Sequence, residues 1–104
     1  MARQLLPASA HVEPLIKDLP GLAAAVRNAR AHSRLRIDDA AAFSGVSADM
    51  LSRLENGKPV TTDRLLKVMD ALGLGMLVVP KNLATKLRDA AQEGKKEDEK
   101  RAAE

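Results

Sequence analysis

The sequence predicts a single, mainly α-helical domain with one short β-strand in its C-terminal half. Its 18 alanines and 15 leucines supply 33 of the 47 apolar residues, and Phe43 is the one aromatic residue. Ala and Leu favour helices, whereas β-branched and aromatic residues favour strands, so this composition argues against a β-sandwich or barrel. A chain of 104 residues has room for one hydrophobic core of modest size.

The composition also excludes several kinds of site. Without cysteine the chain cannot form disulfides, thiolate zinc sites or cysteine nucleophiles. The sequence shows no glycine-rich phosphate loop, nucleophile–base pair or cluster of metal ligands, so we expect neither enzymatic activity nor a cofactor. The longest apolar runs are much shorter than a membrane span and the N-terminus lacks a secretory pattern, which predicts a cytoplasmic protein.

The net charge of +3 is distributed unevenly along the chain. Residues 22–60 carry six basic and four acidic side chains, an excess of +2, while residues 81–104 carry an excess of +1. A surface that meets an anionic partner should therefore be built mainly from residues 22–60.

The first predicted helix follows an N-terminal extension, residues 1–21. Three prolines, the last of them Pro20, discourage a continuous helix in this extension. Helical periodicity begins after Pro20 and predicts a first helix that ends near Ser33. Its apolar stripe consists of Leu22, Ala25, Val26 and Ala29.

The second predicted helix spans residues 37–43 and leads into a turn. Asp38 and Asp39 lie in its first turn, where the helix dipole favours carboxylates. Gly45 suits the left-handed conformation that ends a helix, and Ser47 is a natural N-cap for the next helix.

The third and fourth helices are predicted on either side of a break at residues 56–59. The third spans residues 48–55, and the fourth is capped by Thr61 or Thr62 and stopped by Gly73. The residues expected to be buried are Leu51 and Leu54 in the third helix and Leu65, Val68, Met69 and Leu72 in the fourth.

Residues 74–79 are predicted to form the strand. The segment is apolar on both alternating faces, and Gly73 and Pro80 bound it at a length too short to favour a helix. A lone strand leaves its backbone groups unpaired, so it needs a partner, and the simplest is the same strand of a second copy. The alternative is packing against residues 12–16 of the same chain. The dimerisation residues would be Leu74, Met76, Leu77, Val78 and Val79.

A fifth helix is predicted over residues 81–93, capped by Asn82. Its apolar side carries Leu83, Leu87, Ala90 and Ala91. Residues 94–104 combine mixed charge with almost nothing to bury, which predicts a disordered tail.

The most informative pattern lies within residues 37–56. Ala41, Gly45 and Leu51 are four and six residues apart, which is the spacing of a helix-turn-helix. The small residue lets two helices approach closely, the glycine makes the turn, and the leucine fills the gap between the helices.

On these residues, the segment 22–72 resembles the Cro/phage-repressor type (XRE) of helix-turn-helix domain. The matching residues are Leu35, Ala41, Gly45, Val46, Ser47 and the run Leu51-Ser52-Arg53-Leu54-Glu55-Asn56-Gly57-Lys58. With the predicted strand, residues 22–79 resemble the HipB-like antitoxins of bacterial toxin–antitoxin operons. The resemblance implies a helix-turn-helix DNA-binding and dimerisation domain over residues 22–80, with a strand that pairs across a homodimer. It also implies a kinase-like toxin partner, repression of the shared operon and a place at the bacterial nucleoid.

The resemblance further implies which residues meet DNA. Those that open the third helix and face base edges are Ser47, Ala48, Asp49, Ser52 and Arg53. The guanidinium of Arg53 matches the two acceptors of guanine, and Asp49 could accept a hydrogen bond from cytosine. Arg36, Asn56 and Lys58 occupy positions that contact the phosphate backbone, which sets register rather than sequence.

Two other positions concern the structure of the domain. The resemblance implies an internal ion pair between Arg30 and Glu55, which would tie the first helix to the end of the third. Arg34 replaces the usual turn glycine, which leaves the path between the first two helices open.

Three departures from the family pattern support a rival hypothesis. Ile37 replaces the usual glutamine, Ala48 offers only a methyl group, and Asp49 brings a negative charge to the DNA. The rival is a protein-interaction module that kept the fold and lost DNA readout. A further alternative is a stand-alone phage- or plasmid-type repressor without a toxin.

Overall fold

A computed structural model describes residues 12–103, so residues 1–11 of the N-terminal extension lie outside the described residues. The described chain contains α1 (Leu19–His32), α2 (Ile37–Ser44), α3 (Ala48–Glu55), α4 (Thr62–Ala71) and α5 (Lys81–Ala103). The predictions of a mainly helical fold and of five helices are confirmed. Among these described residues, no helix is long and apolar enough to cross a membrane.

Helix α1 begins three residues earlier than its apolar stripe suggested. Asp18 occupies the N-cap position, and its carboxylate accepts a hydrogen bond from the backbone N–H of Gly21 at 2.8 Å. Pro20 lies in the first turn, where its missing N–H costs no helical hydrogen bond. Pro20 therefore lies within the first turn of α1, whereas the sequence pattern placed it before the helix.

The turn between α2 and α3 has the local structure that its residues predicted. Gly45 adopts the left-handed conformation, with φ of 76°, and ends α2. Ser47 caps α3, because its Oγ accepts a hydrogen bond from the backbone N–H of Met50 at 3.0 Å. Between these two residues, the N–H of Val46 donates to the carbonyl of Ala41 at 3.0 Å. The two helices are thus joined by a short, hydrogen-bonded turn.

Thr61 occupies the N-cap position of α4 without capping the backbone through its side chain. Hydrogen bonding to Thr61 lowers the pKa of Asp63 below its ordinary value. Of the two threonines predicted to cap α4, Thr61 therefore occupies the N-cap position.

The core lies where α1, α2 and α4 meet around α3. Helix α3 packs against α1 and α2, and α2 also packs against α4. Leu51 is completely buried, as its predicted place between the helices requires, and Ala40 and Ala41 are buried with it. The other buried core residues are Val26, Met50, Leu54 and Val68. The small side chains of α2 allow the close approach of α3.

The predicted strand over residues 74–79 is absent from the described chain. These residues form neither helix nor strand, and residues 12–16 form no strand that could pair with them, although Leu74 lines one cavity together with Val12 and Pro14. Met76, Leu77 and Val78 are 52%, 75% and 92% exposed. The prediction was wrong for the single chain, because a strand needs a hydrogen-bonded neighbour and no other described segment supplies one.

The predicted end of the fifth helix, at residue 93, was also wrong. The backbone of α5 continues from Lys81 to Ala103, where a disordered tail over residues 94–104 was expected. Alanine, lysine, glutamate and arginine dominate this part of the sequence, and all four are good helix formers. The prediction of a disordered tail gave more weight to the lack of apolar residues than to this helix propensity. Asn82 lies inside the first turn, so it is not the cap.

Candidate nucleic-acid interface

Helix α3 divides into a buried face and an exposed face. The buried face consists of Met50, Leu51, Leu54 and Glu55. On the other side Ala48, Asp49 and Arg53 are exposed and Ser52 is half-buried. Because side chains three and four residues apart share a face of a helix, these residues form one continuous surface. The residues predicted to face bases, with exposed Ser47 at the start of the helix, therefore lie together.

Arg53 is held by a contact that the sequence did not predict. Its Nη2 donates to the carbonyl of Pro59 in the loop after α3, at 3.3 Å. A guanidinium has five N–H donors, so this bond leaves others available to a ligand. The contact orients the side chain while leaving its capacity for a two-pronged hydrogen bond. No local sequence signal marks a backbone carbonyl as the acceptor.

Asn56, predicted to contact the phosphate backbone, makes hydrogen bonds within the end of α3. Its Nδ2 donates to the carbonyl of Ser52 at 2.7 Å and lies 3.4 Å from the Ser52 Oγ. The backbone N–H of Lys58 donates to the carbonyl of Arg53 at 2.9 Å. These bonds satisfy the last carbonyls of the helix. Lys58 itself is exposed, so its charge is available to a phosphate.

The start of α2 offers one exposed cation. Arg36 occupies the N-cap position, and its Nε lies 3.9 Å from the Oδ1 of Asp38. Both side chains are largely exposed, 76% and 69%, so the pair is weak and leaves Arg36 able to meet an anion. Ile37, by contrast, packs against the core. Where the resemblance implies a glutamine that contacts DNA, Ile37 therefore contributes to core packing.

Asp49 lies in the first turn of α3 and is exposed. The helix dipole stabilises a carboxylate at this end, which explains its presence without any ligand. The same position places its oxygens on the face that carries Ala48 and Arg53. Asp49 thus adds an acceptor to a surface whose other charged group, Arg53, is a donor.

Arg30 and Glu55 form the predicted ion pair behind this surface. Arg30 Nε and Nη2 donate to the two carboxylate oxygens of Glu55 at 2.6 and 2.7 Å, and Nη1 donates to the carbonyl of Leu35 at 3.0 Å. The Glu55 side chain is 5% exposed. Hydrogen bonding to Glu55 raises the pKa of Arg30 above its ordinary value. The pair connects α1, the loop before α2 and the end of α3.

The surface as a whole therefore consists of two parts. The residues predicted to face bases share one face of α3, while Arg36 precedes α2 and Asn56 and Lys58 follow α3. The apolar segment at residues 74–79 is separate from this surface in sequence and follows α4.

Comparison with known proteins agrees with this geometry. A family model described as a helix-turn-helix domain matches residues 22–77, just over half of the chain. No curated protein matches the chain. The matched segment contains most of α1, all of α2 to α4, and the exposed Met76 and Leu77 that follow them. The chain therefore belongs to the helix-turn-helix domain family of DNA-binding regulators.

Proposed function

We propose that the protein is a sequence-specific repressor that binds double-stranded DNA through α3. The observation that carries this proposal is the division of α3 into a core face and an exposed face. The exposed face presents Ala48, Asp49 and Arg53. A helix that packs against the core with one face and exposes hydrogen-bond donors and acceptors on the other fits the major groove.

Each exposed group has a natural counterpart on DNA. Arg53 is suited to the O6 and N7 acceptors of guanine, Asp49 to the N4 amino group of cytosine, and Ala48 to the methyl group of thymine. Arg36 and Lys58 would neutralise phosphates and so position α3 without reading sequence. Specificity in this proposal comes from α3, and affinity comes largely from charge.

We further propose that the protein acts as a homodimer that joins through residues 74–79. Helix-turn-helix dimers bind half-sites about 34 Å apart, one turn of DNA, so the protein would recognise a palindromic operator. The exposure of Met76, Leu77 and Val78 supports this contact, because apolar side chains on a small domain gain most from a partner that removes them from water.

The proposed biological setting is a HipBA-like toxin–antitoxin operon. The protein would bind a kinase-like toxin and repress the operon that encodes both. Its support is the sequence resemblance over residues 22–79. A kinase-like reading frame beside this one, and recovery of its product in complex with this protein, would support the setting. A neighbourhood without such a frame would favour a stand-alone repressor.

The DNA-binding proposal is tested by replacing Arg53. The probes are a duplex from the region upstream of the protein's own reading frame and a shuffled duplex of the same length. We expect Arg53→Ala to cost about 1–3 kcal/mol on the upstream duplex and less on the shuffled one. Arg53→Lys should lose most of the discrimination, since it keeps the charge without the planar fork.

Arg27→Ala on α1 is the matched control, because it removes the same charge away from α3. It should change both affinities by less than about twofold. Affinity of the wild-type protein should fall steeply with salt. Absence of binding at low salt, or equal binding of wild type and Arg53→Ala on both duplexes, would contradict the proposal.

A further inference from the structure

Helix α5 is left without a core of its own in the single chain. Every other helix supplies residues to the buried core, whereas none of the described side chains of α5, residues 81–94, is buried. Leu83 and Leu87 are each 42% exposed. Most of the stability of a helix in a protein comes from packing of its apolar face, so this face requires a partner.

The spacing of the exposed residues indicates what kind of partner fits. Leu83, Leu87, Ala90 and Gly94 are separated by four, three and four residues, which is the repeat of two helices packed along their length. All four are exposed. The stripe carries its two large residues at one end and its two small ones at the other.

This order of sizes makes the stripe complementary to itself. When two copies run antiparallel about a twofold axis, Leu83 lies opposite Gly94 and Leu87 lies opposite Ala90, so that large residues meet small ones. A parallel, in-register pair would set leucine against leucine and leave gaps at Ala90 and Gly94.

The charges beside the stripe are self-complementary in the same direction. Lys86 and Glu93 are exposed, lie seven residues apart and flank the stripe on the same side. In the antiparallel arrangement, Lys86 of each copy lies beside Glu93 of the other, which forms two ion pairs related by the twofold axis. In a parallel pair the neighbour of Lys86 would be Ala91, which is uncharged.

We propose that α5 pairs antiparallel with α5 of a second copy of this chain. The inference rests on the homodimer of the proposed function and adds to it a second contact, continuous in sequence with the exposed segment 76–78. The partner that packs on the stripe is a second copy of the chain. About a twofold axis, the large residues of one copy meet the small residues of the other, and Lys86 of each copy meets Glu93 of the other. The two contacts together would enclose the exposed apolar residues of segment 76–78 and of α5.

Charge reversal tests the direction of pairing in the full-length protein. At a salt concentration of about 50 mM, where surface charges are weakly screened, Lys86→Glu and Glu93→Lys should each raise the dimer dissociation constant about tenfold. The double variant should return to within about twofold of wild type. A mixture of the two single variants should form heterodimers as tight as the wild-type dimer. Sedimentation velocity measures each of these constants.

A double variant that dimerises no better than the single variants would overturn the antiparallel arrangement. Leu87→Asp should weaken the dimer about a hundredfold or more, while Gln92→Asp, off the stripe on the same helix, should have almost no effect. Equal constants for these two variants would overturn the contact itself. At protein concentrations below the dimer dissociation constants, thermal unfolding should show the same α1–α4 core stability in both, because α5 supplies none of its buried residues.

The outcomes separate this inference from the proposed function. Insensitivity to the α5 variants together with monomers from Leu77→Asp would remove the α5 contact and keep the dimer through residues 74–79. A monomeric wild-type protein would remove both dimer contacts. If Arg53→Ala had no effect on DNA binding, only the proposed role of α3 would be contradicted.

Discussion

Arg34 is the one non-glycine residue with a positive φ in the described chain. Its φ is 56°, in the left-handed region, at the turn that joins α1 to α2. Its N–H donates to the carbonyl of Ala31 at 3.1 Å, and the N–H of Leu35 donates to the carbonyl of Arg30 at 3.3 Å. The surrounding hydrogen bonds therefore impose the conformation, and arginine follows the path on which glycine was expected.

A glycine at this position should relieve the conformational cost. We expect Arg34→Gly to stabilise the protein by about 1 kcal/mol, since the left-handed cost for arginine exceeds the added chain entropy of glycine. Gly45→Ala is the inverse control, because its φ is 76° and no atom lies within 4 Å of the place that an alanine methyl group would take. It should destabilise by about 1 kcal/mol through conformation alone. Urea unfolding measures both changes, and a destabilised Arg34→Gly would show that the arginine side chain contributes more than its backbone costs.

At the scale of the helices, the Arg30–Glu55 pair decides how α3 is held. It is the contact between α1 and the end of α3 that combines charge, two-pronged hydrogen bonding and near-complete burial. The raised pKa of Arg30 means that its contribution to stability is fully present throughout the range below its ordinary pKa. Arg30 is therefore charged at physiological pH, and its pairing with Glu55 joins α1 to the end of α3 there.

Removal of one partner should be costly. We expect Glu55→Gln to lower the free energy of unfolding by about 3 kcal/mol, because Arg30 would keep its burial and lose its counter-charge. The double change Arg30→Met with Glu55→Leu should lose much less, since no unpaired charge remains. Urea titrations of the three proteins test this. If the double variant is as unstable as Glu55→Gln, packing rather than charge explains the contact.

The helices also show where local patterns fail. Residues 74–79 have the apolar pattern of a strand, but strand formation depends on a neighbour that the pattern does not contain. Residues 94–103 lack an apolar face, yet their residue types favour a helix when an existing helix can be extended. The predicted strand failed because no neighbouring strand is present in the described chain. The predicted helix end failed because a formed helix can be extended by residues that have no apolar face.

At the scale of the whole molecule, the modest net charge of +3 would make the proposed homodimer important for the proposed DNA binding. One subunit offers few exposed cations near α3, chiefly Arg36, Arg53 and Lys58. Two linked subunits bind adjacent half-sites with a high effective concentration for the second contact. Loss of the dimer should therefore weaken operator binding far more than the loss of one phosphate contact.

Leu77→Asp tests this connection. Leu77 is 75% exposed in the single chain, so an aspartate there should leave the monomer fold intact and disrupt the dimer. We expect monomers by sedimentation and operator affinity reduced by about a hundredfold or more. Asn82→Asp, exposed and close in sequence, is the control for added charge. A dimer that persists in Leu77→Asp would place the subunit contact elsewhere.

The sequence by itself determined the helices α1 to α4, the left-handed turn at Gly45 and the cap at Ser47. Periodicity, capping and turn preferences act over a few residues, so these features could be predicted without knowledge of the fold. Tertiary structure decided which groups meet across the chain. It packed Ile37 against the core, oriented Arg53 toward the carbonyl of Pro59, and left residues 76–78 exposed and the described side chains of α5 outside the buried core. Such contacts depend on which distant segments the fold brings together, and no local pattern contains that information.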